Sequence, residues 1–511
     1  MFAVRLRLAS PRRSLQPSSG SLRPALAGTL LLLLVCPIAG SPALAGIDAQ
    51  LASLLELPCL RSAQLGVKVT RLRDGKVLFE KGADQGLQPA STLKLMTAAA
   101  ALRTLGPEFT FKTRFVAAAP VQNGVLNGDL YVKGGGAPDL IAERWWYAAR
   151  SLARAGLREV RGSLVADESY FDSERRPPGW PAPDVDRAYN APVGPLSFNF
   201  NVVSVEVRPG ETVGSPPLAH LSPLAAGLDL VNAATTSASR SDLRVQVRRQ
   251  RGHEQLILRG SLRRGSPPLT MHRSVEDPPG YALGALRELL SREGVVVTGE
   301  SRRGVAPAGA RVLYTLDSQP LSQILFMMNK MSNNMMAESI LKTMGAEDSG
   351  PPGTTAAGVR VVRRFLDEIG VDTGGLRLAD GCGLSDQNHV PASAMVALLG
   401  EMPRRFSVWP EFLASLPIAG VDGTLDERMR NAGRRVRAKT GRIAGAVTLA
   451  GYAINEDGDL LAFAVLANRV RCGFPRVVEQ VDRLALTLAA SRTEDSLAGR
   501  ASTAAPLGGR P

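Results

Sequence analysis

The two ends of this chain carry matching halves of one structure. Near the start, residues 49–57 have helical spacing, and residues 65–72 and 77–80 read as strands joined through Asp74-Gly75, a hairpin turn pair. Far downstream, residues 436–439, 447–454 and 460–466 read as strands, with a turn at Asp457-Gly458 between the last two, and residues 475–490 read as a helix. A helix and two strands open the fold; three strands and a helix close it. Such elements complete one sheet covered by helices, so the ends must meet and the middle must be accommodated as excursions from that sheet. The length, 511 residues, also exceeds what one ordinary core accommodates.

The largest excursion changes texture. After Gly106-Pro107, which end a helix predicted over 91–105, Phe109, Phe111, Thr113 and Phe115 alternate as on a half-buried strand. Strand-like stretches follow at 126–133, 162–166, 196–207, 243–247 and 255–258, with a helix at 140–155 and a turn at Asn123-Gly124. Helical spacing returns at 281–292 and runs through 321–344. The division this implies is 46–106 with 275–490 as one discontinuous domain and 107–274 as inserted β-rich structure. The small, polar residues of 491–511 read as a disordered tail.

The first 45 residues read as an export signal. Arg5, Arg7, Arg12, Arg13 and Arg23 precede the apolar run from Leu30 to Val35, and Ala43-Leu44-Ala45 is a small-residue cleavage pattern. The expectation is a periplasmic protein, cleaved near Ala45. Of the net charge of +14, five charges sit in this segment, which has no acid, leaving +9. A basic exported protein suits anionic wall polymers or membrane surfaces, so a peripheral wall or membrane association is an expectation; an arginine-rich composition explains the charge equally well. Nucleic acid is excluded by export and by scattered basic residues with only 5 % aromatics, which leave no stacking platform. Beyond the signal, Cys59, Cys382 and Cys472 form no paired metal-ligand spacing, and neither do His220, His253, His272 and His389. No metal or other cofactor is expected. An oxidising compartment permits a bridge between Cys59 and Cys472, without requiring it.

Three short motifs carry chemistry: Ser91-Thr92-Leu93-Lys94, Ser332-Asn333-Asn334 and Lys439-Thr440-Gly441. Serine and lysine three apart at a helix start share a face, so the amine reaches the hydroxyl, and the positive helix end favours a developing oxyanion. A lysine base must lose its proton, and a second cation nearby lowers its pKa. Lys439 supplies that charge and attracts a substrate carboxylate. Ser332 relays a proton between Lys94 and the leaving amine, Asn334 holds a substrate amide, Thr440 donates to a carboxylate, and Gly441 lets a substrate backbone approach the strand. Taken singly, each motif is weak. Ser339-Ile340-Leu341-Lys342 repeats the first pattern inside a helical run, and Ser197-Phe198-Asn199 repeats the second on an expected strand face; both read as structural. The methionines at 327, 328, 331, 335 and 336 read as core, and Gly134-Gly135-Gly136 as a turn.

With these residues placed, the chain resembles the class C low-molecular-mass penicillin-binding proteins, the D-alanyl-D-alanine carboxypeptidase/endopeptidases of penicillin-binding protein 4 type. The likeness runs through Pro89 to Lys94, through Gly128-Asp129-Leu130 with Gly134-Gly135-Gly136 and Pro138, and through Gly179-Trp180 and the stretch 196–201. It continues in Asp380-Gly381-Cys382-Gly383-Leu384-Ser385 with Asn388, and in Leu416-Pro417, Gly420 and Asp422-Gly423-Thr424-Leu425. The resemblance implies a β-lactamase/transpeptidase-like α/β (α+β) domain, an antiparallel sheet covered by helices, interrupted by inserted β-rich domains. It implies a serine DD-peptidase that acts on peptidoglycan peptides through an acyl-enzyme and is acylated by β-lactams. A homodimer is implied by the resemblance alone. Four positions depart from the pattern: Asn333 for aspartate, Cys382 for serine, Asp386 for arginine, and Arg442 for a small hydroxyl residue. In that family the residue at 442 offers its backbone N–H, with that of Ser91, to an oxyanion. The Arg442 side chain on a strand bordering the site is expected to pair with a second substrate carboxylate, a neutral solvent-facing position being the alternative at even odds. Two other readings share the motifs. A β-lactamase-like hydrolase is opposed by the long insert, and an inactive wall-binding or assembly protein by the intact Ser91, Lys94, Ser332 and Lys439.

Overall fold

A computed structural model describes residues 46–492, save 224, 226, 251 and 252. The export signal and almost all of the expected tail lie outside the described residues. The ends meet as the sequence requires. Five antiparallel strands run in the order Val436–Ile443, Ala446–Ile454, Leu460–Asn468, Gln64–Arg71, Val77–Lys81. The central strand Leu460–Asn468 is apolar almost throughout because both of its faces are covered. Leu461, Phe463 and Val465 pack with Leu51, Leu55, Val477, Val481 and Leu484 of the opening and closing helices, Ile47–Leu55 and Phe474–Ala490. Ala462, Ala464 and Leu466 face the opposite way, onto a second core with Leu398 and Leu399 of the Ala392–Glu401 helix, where Tyr452 Oη donates to Leu399 O at 2.8 Å. A disulfide between Cys59 and Cys472 ties the opening helical segment to the loop before the closing helix.

The inserted sheet draws on more chain than expected. Lys112–Ala117 pairs with Leu130–Lys133 on one side and with Arg311–Asp317 on the other. Leu130–Lys133 continues to Leu164–Asp167 and Ser301–Arg303 in parallel. A boundary at 274 therefore falls inside the sheet-forming segment, which extends to Asp317. Short exposed strands such as Ser301–Arg303 give no apolar alternation to read, which is why the pattern missed them.

Three expected elements differ. The strand over 196–207 begins only at Val202: Asn199, Phe200 and Asn201 form a left-handed turn with φ of 47°, 59° and 54°, closed by Asn201, whose buried side chain donates to Pro192 O at 2.8 Å. Ser197-Phe198-Asn199 thus lies on a turn and not on a strand face. Gly134-Gly135-Gly136 is a close approach and not a free turn, since a side chain at 134 or 135 would collide with backbone at Pro195 or Lys112. The helix expected over 321–344 is two, Leu321–Met331 and Asn334–Ser349, with the break at Ser332.

Candidate active site

Ser91 sits in a short 3-10 turn, Ala90–Leu93, that feeds the helix Lys94–Thr104. Ala90 has φ 46°, a left-handed value that a non-glycine residue rarely adopts, and hydrogen bonds hold the turn. Thr92 Oγ1 donates to Pro89 O at 2.6 Å, and Thr448 Oγ1, from the second strand of the sheet, donates to the same carbonyl at 2.8 Å. The Ser91 turn is thereby fastened to the sheet.

The Lys94 side chain is fully buried, and its Nζ donates to Ser91 Oγ (2.8 Å), Asn334 Oδ1 (2.7 Å) and Cys382 O (2.9 Å). Three acceptors exhaust an ammonium. Once the amine is neutral, only two N–H remain. Asn334 Oδ1 and Cys382 O have no proton to give, so they retain those two, and the lone pair is left facing the Ser91 hydroxyl. Burial lowers the proton affinity of Lys94, while the Asp380 carboxylate pulls the other way.

Asn334 is oriented by its other end, where Nδ2 donates to Tyr189 O at 2.9 Å. It opens the Asn334–Ser349 helix, directly after the break. Ser332 takes φ 57°, ψ 38°, ending one helix in the left-handed region, and Asn333 caps the next by accepting from Met336 N at 3.0 Å. Aspartate and asparagine cap equally well, so the departure at 333 is explained: this side chain serves the helix start. The break turns Ser332 toward Lys439, whose Nζ donates to Ser332 Oγ (2.8 Å) and to Thr440 O (2.9 Å). Ser332 is held by Lys439; no hydrogen bond joins it to Lys94. Lys439 is fully buried, and burial first, then repulsion from Lys94 and Arg428, holds its pKa well below the ordinary lysine range.

Gly441 serves a contact within the fold that the sequence did not anticipate. A Cβ there would overlap Thr448 Oγ1 and lie 2.9 Å from Ser91 N and 3.0 Å from Ala90 Cβ. The missing side chain lets the strand press against the nucleophile turn. Thr440 Oγ1 donates to Thr424 Oγ1 at 2.8 Å. Arg442 is not drawn into this cluster: its guanidinium lies over the Phe474 ring, 5.4 Å from the centroid, so the expected pairing with a second substrate carboxylate has no support in the geometry. Phe474 packs with the core under the closing helix.

Behind Lys94 stands a loop with no catalytic signature in the sequence. Asp380 accepts from the backbone N–H of Cys382 (3.0 Å), Gly383 (2.6 Å) and Ser385 (2.7 Å), from Asn388 Nδ2 (3.0 Å) and from Trp180 Nε1 (2.8 Å). Glu338 accepts from Gly381 N and Thr355 Oγ1, each at 2.7 Å, and Thr97 Oγ1 donates to Gly381 O at 2.6 Å. Burial, then repulsion from Asp380, pushes the Glu338 pKa up to about 7. Cys382 contributes its carbonyl; burial keeps its thiol protonated. Backbone acceptors such as Cys382 O and Tyr189 O leave no trace in residue identity, and only the resemblance pointed to this loop. The second Ser-x-x-Lys pattern has other work: Lys342 Nζ donates to Asp172 Oδ1 at 2.6 Å, and Ser339 Oγ to Met335 Sδ at 3.4 Å.

Sheet, helices and a serine hydrogen-bonded to a buried lysine together define a class, the active-site serine enzymes of the β-lactamase/transpeptidase-like fold. Within that class the chain belongs to the D-Ala-D-Ala carboxypeptidase 3 (S13) family, whose model matches residues 47–487. It is 37 % identical over 507 residues to a D-alanyl-D-alanine carboxypeptidase of an Actinomadura species, covering 94 % of this chain and 92 % of that one. It is 27 % identical to the D-alanyl-D-alanine carboxypeptidase DacB of Haemophilus influenzae, covering 80 % and 86 %. The crystal structure of penicillin binding protein 4 from that organism superposes with a TM-score of 0.75 at 25 % identity, over 86 % of this chain and 99 % of that one. The protein is accordingly a serine-type D-Ala-D-Ala carboxypeptidase.

Proposed function

We propose that Ser91 is the nucleophile and Lys94 its general base. The observation that carries this reading is the arrangement around Lys94 Nζ, where two acceptor-only oxygens leave a neutral amine no orientation except toward Ser91. Ser91 Oγ attacks the carbonyl of the penultimate D-alanine as its proton passes to Lys94. The carbonyl oxygen becomes an anion at the helix start, received by the N–H groups of Ser91 and Arg442. Ser332 gives its proton to the departing amine and recovers one from Lys439, whose lowered proton affinity favours the transfer. Terminal D-alanine leaves, and the Ser91 ester is hydrolysed by water as the protons return. Asn334, with Oδ1 committed to Lys94, holds the substrate amide at the cleft, while Lys439 and Thr440 receive the terminal carboxylate.

The same acyl transfer extends to cross-linked peptidoglycan peptides, as an endopeptidase, and to β-lactams, which stop at the ester. A structure of the Haemophilus influenzae relative is described as complexed with a novel β-lactam. Export to the periplasm is supported by the signal pattern of the first 45 residues and by the Cys59–Cys472 bridge, which persists in an oxidising compartment. Among the described residues no helix is long and apolar enough to cross a membrane. The test is Ser91→Ala against a fluorescent penicillin and an acyl-D-Ala-D-Ala peptide. Labelling and D-alanine release should both vanish while thermal unfolding stays as in the parent. Labelling at the parent rate, with the adduct mapped to another residue, would sink the assignment.

A further inference from the structure

The hydroxyl of Thr424 is bound to Thr440 yet takes no part in the acyl transfer itself. It comes from the 3-10 turn Gly423–Leu425, far in sequence from the Lys439 strand. Two features hold that turn in place. Lys330, two residues before Ser332, donates to both oxygens of Asp422 (2.8 and 2.7 Å) and to Leu416 O (2.6 Å). The segment 417–419 pairs with the outer edge of the strand, with Ala438 N donating to Pro417 O and Ala419 N to Val436 O, each at 3.0 Å. This cover stops at Ala438. From Lys439 onward the outer edge carries no neighbouring strand, since Val436–Ile443 is an end strand of its sheet. A substrate backbone laid along that open edge runs up against the covered part, and Thr424 stands beside Thr440 there.

Thr440 and Thr424 have two hydroxyl protons and share one bond at 2.8 Å. Whichever way that bond runs, the other proton has no acceptor among the described residues. Lys439 likewise spends two of its three ammonium protons, on Ser332 Oγ and Thr440 O. One hydroxyl proton and one ammonium proton are therefore unspent side by side, the donor set for a carboxylate. The Arg442 guanidinium lies instead over the Phe474 ring.

We propose that Thr424, accepting from Thr440, is the hydroxyl of the pair that donates to the carboxylate, held by the Lys330–Asp422 pair, and that it sets the preference for substrates with a free C-terminal carboxylate over those whose terminus is blocked. The proposal rests on the reading in which Lys439 and Thr440 receive that carboxylate. On binding, one carboxylate oxygen takes the Lys439 proton and the other the proton of the threonine pair.

The test compares kcat/KM for an acyl-D-Ala-D-Ala peptide and its C-terminal carboxamide. Thr424→Val keeps the volume and removes the hydroxyl. The change removes this donor but frees the Thr440 proton to replace it in part, so kcat/KM for the acid should fall about three- to tenfold, chiefly through KM, with the carboxamide within about twofold. Thr424→Ser should restore the acid. Equal losses on both substrates, or none, would overturn the proposal. Thr440→Val, measured in parallel, separates the two ideas. If it discriminates acid from amide and Thr424→Val does not, Thr424 alone is excluded; if neither discriminates, the carboxylate is received elsewhere and the underlying reading falls too.

Discussion

Gly441→Ala tests how closely the Lys439 strand must approach the nucleophile. The added methyl overlaps Thr448 Oγ1, so Thr448 must rotate and give up its 2.8 Å bond to Pro89 O, a loss of about 1 kcal/mol. Rotation does not suffice. Ser91 N and Ala90 Cβ would still lie 2.9 and 3.0 Å from the methyl, whereas ordinary contact begins near 3.4 Å. Both belong to backbone already held in a left-handed turn, so the strand and the turn must separate by about half an ångström, with overpacking strain of about 1–3 kcal/mol. A displacement of about 1 Å in a reacting geometry costs roughly a hundredfold in rate, so an acylation loss of about tenfold or more is expected. Stopped-flow acylation by a fluorescent penicillin measures the rate, and thermal unfolding measures the strain. Thr448→Ala and the double variant complete a cycle. The double variant should be less impaired than the sum of the singles, because the overlap with Thr448 is counted once, but it should remain slower than Thr448→Ala alone. Gly441→Ala acylating within about twofold of the parent would refute the argument, since the turn would then tolerate a methyl at its back.

Other consequences follow from the buried charges and the bridge. Removing the cation in Lys439→Ala lets Lys94 keep its proton to higher pH, so the acid limb of kcat/KM should move upward by about one unit or less, alongside slower acylation; an unmoved limb would mean that burial alone sets Lys94. Glu338 titrates near 7 in the fold against 4.5 ordinarily, so the native state binds the extra proton and stability falls as pH rises from 4.5 to 7, by at most about 3 kcal/mol, and levels off above. Glu338→Gln should lose this slope in urea titrations across that range; a parallel profile for the two proteins would show that Glu338 keeps its ordinary pKa. Cys59→Ser, or reduction of the parent, should cost about 3–5 kcal/mol of stability by freeing the long loop between the ends, read as a lower urea midpoint with activity per folded molecule retained.

Much of this was legible before any coordinates. The closing strands are apolar on both faces and the opening helix is amphipathic, so their pairing followed from the need to cover a sheet. Ser91 and Lys94 are one turn apart, and covalent spacing alone places them together. The sheet extension at 301–317 was not legible, because Ser301–Arg303 is exposed throughout and carries no alternation. The contact of Arg442 with Phe474 was not legible, because strand position does not tell a long cationic side chain which neighbour it will reach. The contact of Gly441 with the Ala90–Ser91 turn was not legible either: a glycine marks a close approach without naming what approaches.

The sequence by itself determined which groups were available and which were local neighbours: the serine–lysine pair, a strand ending in Lys-Thr-Gly, and two chain ends that complete one sheet. Tertiary structure decided what those groups face. The apolar spacing of 321–344 runs through Ser332 without a gap, yet the chain breaks there, because a left-handed Ser332 and an Asn333 cap bring Ser332 Oγ to Lys439 and Asn334 Oδ1 to Lys94. The two oxygens that direct the Lys94 lone pair come from residues 334 and 382, and one of them is a backbone carbonyl that every residue type possesses. Periodicity reports which side of an element is buried; the orientation of a lone pair depends on atoms brought together across hundreds of residues, and only the packed fold fixes it.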